Sequence, residues 1–228
     1  MRTEFQDRLA VVTGASSGIG FALCAALLQY GTRVVAMSRS LGALQSLQAS
    51  YPGLLFWQAG DVTSIKDLTS LGQRAAELGQ VDYLVPNAGV AELAESFDLA
   101  AFDRQWAVNG AGALNTLAAL RHTLAAQSSV VFISSFLTRS TFPGLAAYIA
   151  SKAALSAQAR TLAVEFAPIG VRINLVSPGP TATALWGSLG LNDEQLGAVA
   201  DSVTQRLLPG HFLDAGQDWV VDNGYTLG

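Results

Sequence analysis

Seven short runs in this chain are apolar at most positions: 9–13, 33–38, 54–58, 81–85, 129–134, 171–176 and 218–221. Runs that are apolar throughout, rather than alternating with polar residues, mark strands covered on both faces, as in parallel sheets. Between them lie stretches of helical character at 18–30, 41–49, 64–78, 99–125, 148–166 and 193–207. Strand and helix alternating in this way predict an α/β fold, a doubly wound sheet of seven parallel strands with right-handed crossovers. Such sheets bind ligands outside the carboxyl ends of their strands. The residues that follow the strands therefore carry the candidate chemistry.

Composition narrows the possibilities. With 228 residues, half of them hydrophobic, the chain is expected to form a single domain spanning 1–228. Charged residues make up 13 %, too few for a disordered or solvating protein, and a net charge of −4 argues against nucleic acid as a partner. The one cysteine, Cys24, leaves no internal disulfide and reads as a core filler. The charged segment 1–8 leads straight into the first strand without room for a signal sequence, and no apolar run reaches membrane-spanning length. A cytoplasmic protein with no membrane partner is expected. His122, His211 and a lone cysteine without clustered carboxylates give no metal site.

The first strand ends in Thr13-Gly14-Ala15-Ser16-Ser17-Gly18-Ile19-Gly20 and runs directly into an apolar helix. Glycines there let the backbone turn tightly and approach a pyrophosphate, whose charge faces the free N–H groups of the helix N-terminus. Glycines also serve plain turns, but this placement points to a nucleotide. No acidic residue occurs between Leu9 and Gly60, so the second strand lacks the carboxylate that holds the ribose 2′-hydroxyl in NAD sites. It ends instead in Ser38-Arg39, a hydroxyl and a guanidinium that suit a 2′-phosphate. NADP(H) is therefore expected over NAD(H), the bland alternative being that Arg39 is an ordinary exposed arginine. Asp61-Val62 follows the third strand, where the carboxylate either accepts from an adenine amino group or forms a turn. Asn87-Ala88-Gly89 follows the fourth and either borders the ligand or simply turns.

Tyr148 and Lys152 stand four apart in a helical stretch, which places phenol and ammonium on one face about one turn apart. Such a pair is often no more than two surface neighbours, but this chain has only two lysines, Lys66 and Lys152. A cation close by lowers a phenol's pKa from its usual value of about 10, which makes Tyr148 a candidate proton donor and acceptor.

With these residues laid out, the chain resembles the classical short-chain dehydrogenase/reductase family over nearly its whole length. The resemblance rests on the glycine motif, Asp61, Asn87-Ala88-Gly89, Asn109, Ser135 thirteen residues before Tyr148, the Tyr148/Lys152 pair, Pro178-Gly179 and Val221-Asp222-Asn223-Gly224-Tyr225. It implies a Rossmann-type sheet and hydride transfer between a nicotinamide and a carbonyl carbon. It further implies that Ser135 donates to the carbonyl oxygen, that Tyr148 delivers the proton, and that Lys152 lowers the Tyr148 pKa and binds the nicotinamide ribose. Asn109 would hold a water linking Lys152 to solvent, and the turn Pro178-Gly179-Pro180-Thr181 would lie against the nicotinamide, with Thr181 or Thr183 binding it. Read singly, Ser135 is equally a strand-end hydroxyl and Asn109 a helix cap or kink.

The chain also departs from the family pattern. The usual Asn-Asn-Ala-Gly reads Pro86-Asn87-Ala88-Gly89, and the C-terminal region is short, so that the family's last long helix is either replaced by 193–207 or missing. This puts the common tetramer in doubt. Stretch 148–166 carries only Lys152, Arg160 and Glu165 as charges, and 99–125 only Asp103, Arg104 and Arg121. Helices this poor in charge are expected to be covered on two sides, giving a homodimer, with a tetramer possible. Phe142, Leu185, Trp186, Leu189 and Leu191, the last four in a substrate loop at 181–210, either form an apolar pocket or pack the loop itself. The expected activity is NADPH-dependent, reversible reduction of a small hydrophobic ketone or aldehyde. The rival expectations are an idle NADP(H)-binding redox sensor and an NAD-linked alcohol dehydrogenase.

Overall fold

Apolar strands need cover on both faces, and the computed structural model, which describes residues 4–204, provides it. The strands are β1 (Leu9–Thr13), β2 (Arg33–Ser38), β3 (Leu55–Ala59), β4 (Val81–Val85), β5 (Leu124–Ile133) and β6 (Arg172–Val176). They form one sheet in the order β3-β2-β1-β4-β5-β6, every neighbouring pair parallel. Helices α1 (Gly18–Gln29), α2 (Leu44–Ser50), α3 (Ile65–Leu78), α4 (Leu99–Trp106), α5 (Ala113–Leu120), α6 (Ala146–Phe166) and α7 (Asp193–Thr204) intervene in chain order.

Successive strand residues point to opposite faces. Leu9, Val11 and Val35 join Leu68 and Leu71 of α3, Leu117 and Leu120 of α5, and Leu155 of α6. Ala10, Val12, Val34 and Ala36 face the other way, onto Cys24 and Leu28 of α1 and Leu44 of α2. Burial pushes the Cys24 thiol up to about 12, as expected for a core filler. The chain moves outward from β1 to β3 and then returns to place β4 on the other side of β1. That reversal opens the crevice in which doubly wound sheets take their ligands.

The sheet has six strands among the described residues. The expected seventh run at 218–221, the motif 221–225, and the ends of the 193–207 helix and the 181–210 loop lie outside them. A second difference concerns the stretch 99–125, expected as one helix. It is divided into α4, a π-helical turn at Ala107–Gly112, and α5, which stops at Leu120. Residues 124–126 belong instead to β5, where Leu124 pairs with Val81 and Thr123 accepts from the Val81 N–H. The β4–β5 register shifts between Val81 and Tyr83, and Gln127 takes a positive φ within the irregularity. An alanine-rich sequence with helical propensity has here been claimed by a sheet neighbour. Along the outer side of α6, Ala146, Ala150, Ala153, Ala157, Thr161 and Val164 are exposed.

Candidate active site

One cleft of about 470 Å³ opens over the carboxyl ends of the strands. The glycine turn forms its floor. Gly14 has φ +64°, and a Cβ there would fall 2.7 Å from the Ala88 Cα; one at Gly20 would fall 2.5 Å from the Gly14 carbonyl. The turn is stapled to β4 by residues whose importance the sequence reading did not anticipate in full. The Thr13 hydroxyl accepts from the Asn87 and Ala88 N–H groups, and the Asn87 amide donates to the Thr13 and Gly14 carbonyls. Asn87 thus supports the floor through its side chain. Helix α1 begins at Ser17 without a side-chain cap, so its first-turn N–H groups are left for a ligand. A bare backbone floor, an uncapped helix start and a cleft of this size fit the pyrophosphate of a dinucleotide.

Of the residues anticipated from sequence, Ser16, Ser17, Gly18, Ile19, Ser38, Arg39, Asp61, Val62, Ala88, Gly89, Pro178, Gly179, Thr181 and Thr183 line this cleft with Gly14 and Asn87. Ser135, Tyr148 and Lys152 line it too, whereas Gly20 and Asn109 stand behind the wall. Arg39 is exposed and makes no hydrogen bond or close ion pair among the described residues. Ser38 is less available: its hydroxyl donates to the Ser40 carbonyl at 2.7 Å and accepts from Trp57 Nε1 at 3.1 Å. It shapes the turn that carries Arg39. Asp61 does form a turn, with one carboxylate oxygen accepting from the Thr63 N–H and hydroxyl. These bonds, and the more distant charge of Arg39, hold its carboxyl below the ordinary range. Its second oxygen makes no hydrogen bond among the described residues.

Helix α6 brings Tyr148, Ser151 and Lys152 to the cleft side, all buried, opposite Ser135 at the end of β5. Tyr148 sits in an apolar cluster with Ala91, Leu137, Leu145 and Leu189, with Phe142, Trp186 and Leu191 packed around it. Here the structure corrects an expectation. The phenol is raised above its usual pKa because burial outweighs the Ser135 hydroxyl, which acts in the opposite direction. Lys152 does not offset that effect in this state; its ammonium donates to the Ile133 carbonyl at 2.8 Å, and burial pushes its own pKa down to about 8. Spacing reports that a cation is near a phenol, but it says nothing of how dry the surroundings are.

Asn109 lies inside the π-helical turn, fully buried. Its amide grips both backbone groups of Val90 and donates to Ser151 Oγ at 3.0 Å, while Ser151 donates to the Tyr148 carbonyl. Asn109 and Lys152 both approach Gly89: a Cβ there would stand 3.3 Å from Asn109 Oδ1 and 3.5 Å from Lys152 Nζ. Sequence reasoning missed Thr13, Ser151, Gln105 and Ser188. Ser151 sits between two singled-out residues, and Gln105 is an amide four positions before Asn109 in a helical stretch, which was a legible signal.

Residues 8–194 match the family model described as short chain dehydrogenase. The chain is 34 % identical to the cis-4-hydroxycyclohexanecarboxylate dehydrogenase of Sinomonas cyclohexanicum, with 99 % of each protein covered. It is 41 % identical over 79 % of its length to the glycine betaine reductase of Emericella nidulans, a match that spans 15 % of that longer protein. Among solved structures it resembles a short-chain type dehydrogenase/reductase from Mycobacterium marinum, with a TM-score of 0.83, 27 % identity, and 93 % and 85 % of the two chains covered.

Proposed function

Because the chain belongs to the short-chain dehydrogenase family of nicotinamide-dependent oxidoreductases acting on alcohol and carbonyl groups, we propose that it reduces a small hydrophobic ketone or aldehyde with NADPH, and oxidises the alcohol in reverse. The observation that carries this reading is a single cleft lined at once by the glycine turn, Arg39, the Ser135/Tyr148/Lys152 group and an apolar cluster. Bound at the glycine turn, the cofactor would supply the hydride. Ser135 donates a hydrogen bond to the carbonyl oxygen as negative charge grows there, and Tyr148 delivers its proton to the same oxygen. A phenolate is left in an apolar surround, held by the Lys152 ammonium one turn along α6.

Among the described residues the charged ones lining the cleft are Arg39, Asp61 and Lys152, none of which belongs to the apolar cluster around Tyr148. The ring alcohol named for the Sinomonas relative carries a carboxylate. Among the described residues this cluster offers such a group no cation, which favours a neutral substrate. The test is NADPH oxidation with a panel of neutral and carboxylated ketones. Consumption restricted to the carboxylated members would overturn the substrate reading, and no consumption with any member the reading as a whole.

Arg39 is assigned to the 2′-phosphate. Loss of one charge-assisted contact is worth about 1.5–3 kcal/mol, so Arg39→Ala should raise the KM for NADPH roughly ten- to a hundred-fold and leave that for NADH unchanged. An equal change for both would remove the assignment. The reduction rate should also fall as pH rises through about 8, because Lys152 is charged below that value and neutral above it. For assembly we read the exposed row of small side chains on α6 as one side of a homodimer. Light scattering after size exclusion should give twice the chain mass, and a monomer would end that reading.

A further inference from the structure

Residues 90–92 follow β4 and run along the cleft, and among the described residues no other backbone group pairs with them. Three side chains meet all six of their N–H and C=O groups. Asn109 Oδ1 accepts from the Val90 N–H and its Nδ2 donates to the Val90 carbonyl, both at 2.9 Å. Gln105 repeats the pattern on Glu92, accepting at 3.1 Å and donating at 3.2 Å. Ser188 serves Ala91 between them, donating to its carbonyl at 2.8 Å, a hydrogen shared with the Leu185 carbonyl, and accepting a long 3.4 Å bond from its N–H. The spacings match. Four residues of helix rise about 6 Å and two residues of extended chain about 6.6 Å, so amides at 105 and 109 meet residues 90 and 92 while residue 91 faces away.

We infer that Gln105 is a positioning residue of the carbonyl site, which with Asn109 fixes segment 90–92, whose far edge, through Ser188, holds the substrate loop in place. Its kinetic meaning rests on the function proposed above. Gln105 is fully buried, and a carboxamide is costly there unless both its ends are used. The consequence lies at the cleft. Val90 and Ala91 line it, and Ser188 belongs to the 3-10 turn Ala184–Leu189 that carries Trp186 and Leu189 into the cluster around Tyr148. Two backbone bonds continue the seam, from the Leu93 N–H to the Leu189 carbonyl and from the Ala94 N–H to the Gly144 carbonyl.

The test compares the full-length protein with Gln105→Leu, Gln105→Glu and Ser188→Ala, the last an exposed position that leaves folding intact. In Gln105→Leu and in Ser188→Ala, amide hydrogen exchange should quicken at 90–93 and again at 185–191, with 9–20 unchanged. The KM for a carbonyl substrate should rise about ten-fold in Gln105→Leu at unchanged NADPH affinity. Gln105→Glu separates hydrogen bonding from packing: its protonated carboxyl reproduces both bonds to Glu92, whereas the carboxylate only accepts. Charges nearby are Glu92 and Asp98, both facing Arg104, and Lys152 on α6. The KM and exchange of Gln105→Glu, each divided by the wild-type value at the same pH, should approach one in acid and diverge as pH rises. Unchanged exchange, quickening confined to 90–93, or a ratio flat in pH would each overturn the inference. Should the wild type reduce no carbonyl compound while the exchange pattern appears, the clamp stands and the proposed reaction does not.

Discussion

Tyr148→Phe is expected to lower carbonyl reduction about a thousand-fold, the usual range for losing a placed general acid, while NADPH still binds. The phenol is buried on α6 beside Ser135, within an apolar cluster. Its raised pKa means that it keeps its proton through neutral pH and is available as a donor. The same burial makes the reverse reaction dependent on alkali, since alcohol oxidation needs the phenolate. Removing one oxygen leaves the ring in its packing, so stability should barely change. Equal turnover in variant and wild type, with cofactor affinity measured alongside, would remove Tyr148 from the mechanism.

Lys152→Met should abolish most of the activity and at the same time stabilise the protein. A fall from 10.5 to about 8 corresponds to roughly 3 kcal/mol of differential interaction between the protonation states. In the unfolded chain the amine keeps its ordinary pKa. Below pH 8 both states carry the proton, and the full burden of a buried charge is felt. Between about 8 and 10.5 the folded protein releases the proton first, so stability climbs with pH; above that range the burden is gone. Methionine fills similar space without the charge and loses one charge-assisted bond to the Ile133 carbonyl, worth about 1.5–3 kcal/mol. The net gain at pH 7 is then at most about 1.5 kcal/mol, a melting temperature higher by up to about 6 °C, shrinking towards pH 10. A variant that melts lower at neutral pH would contradict the burial argument. A buried lysine that carries this penalty is consistent with the proposed role of its charge in the reaction.

Much of the architecture was legible because parallel strands covered on both faces leave a plain apolar signature. β1, β2 and β4 lie where their runs of valine, leucine and alanine place them. The boundary at 120–124 was not legible, because propensity there favours helix while the pairing of Leu124 with Val81 decides otherwise. At the site, residues with a distinctive side chain or spacing stood out, the glycine turn and the Tyr148/Lys152 pair above all. The grip of Gln105 on Glu92 and of Thr13 on Asn87 did not, because one partner in each is backbone, which every residue possesses. The environment of Lys152 was hidden for a related reason: dryness is a property of the assembled fold and not of any stretch of chain.

The inert thiol of Cys24 makes this molecule convenient to label. Sealed under α1, and holding its hydrogen far into the alkaline range, it should ignore a maleimide dye that needs a reachable thiolate. Leu185→Cys would then take up the fluorophore alone, with the unmodified protein as blank, and movements at the mouth of the cleft could be followed in solution without first engineering away a native sulfur.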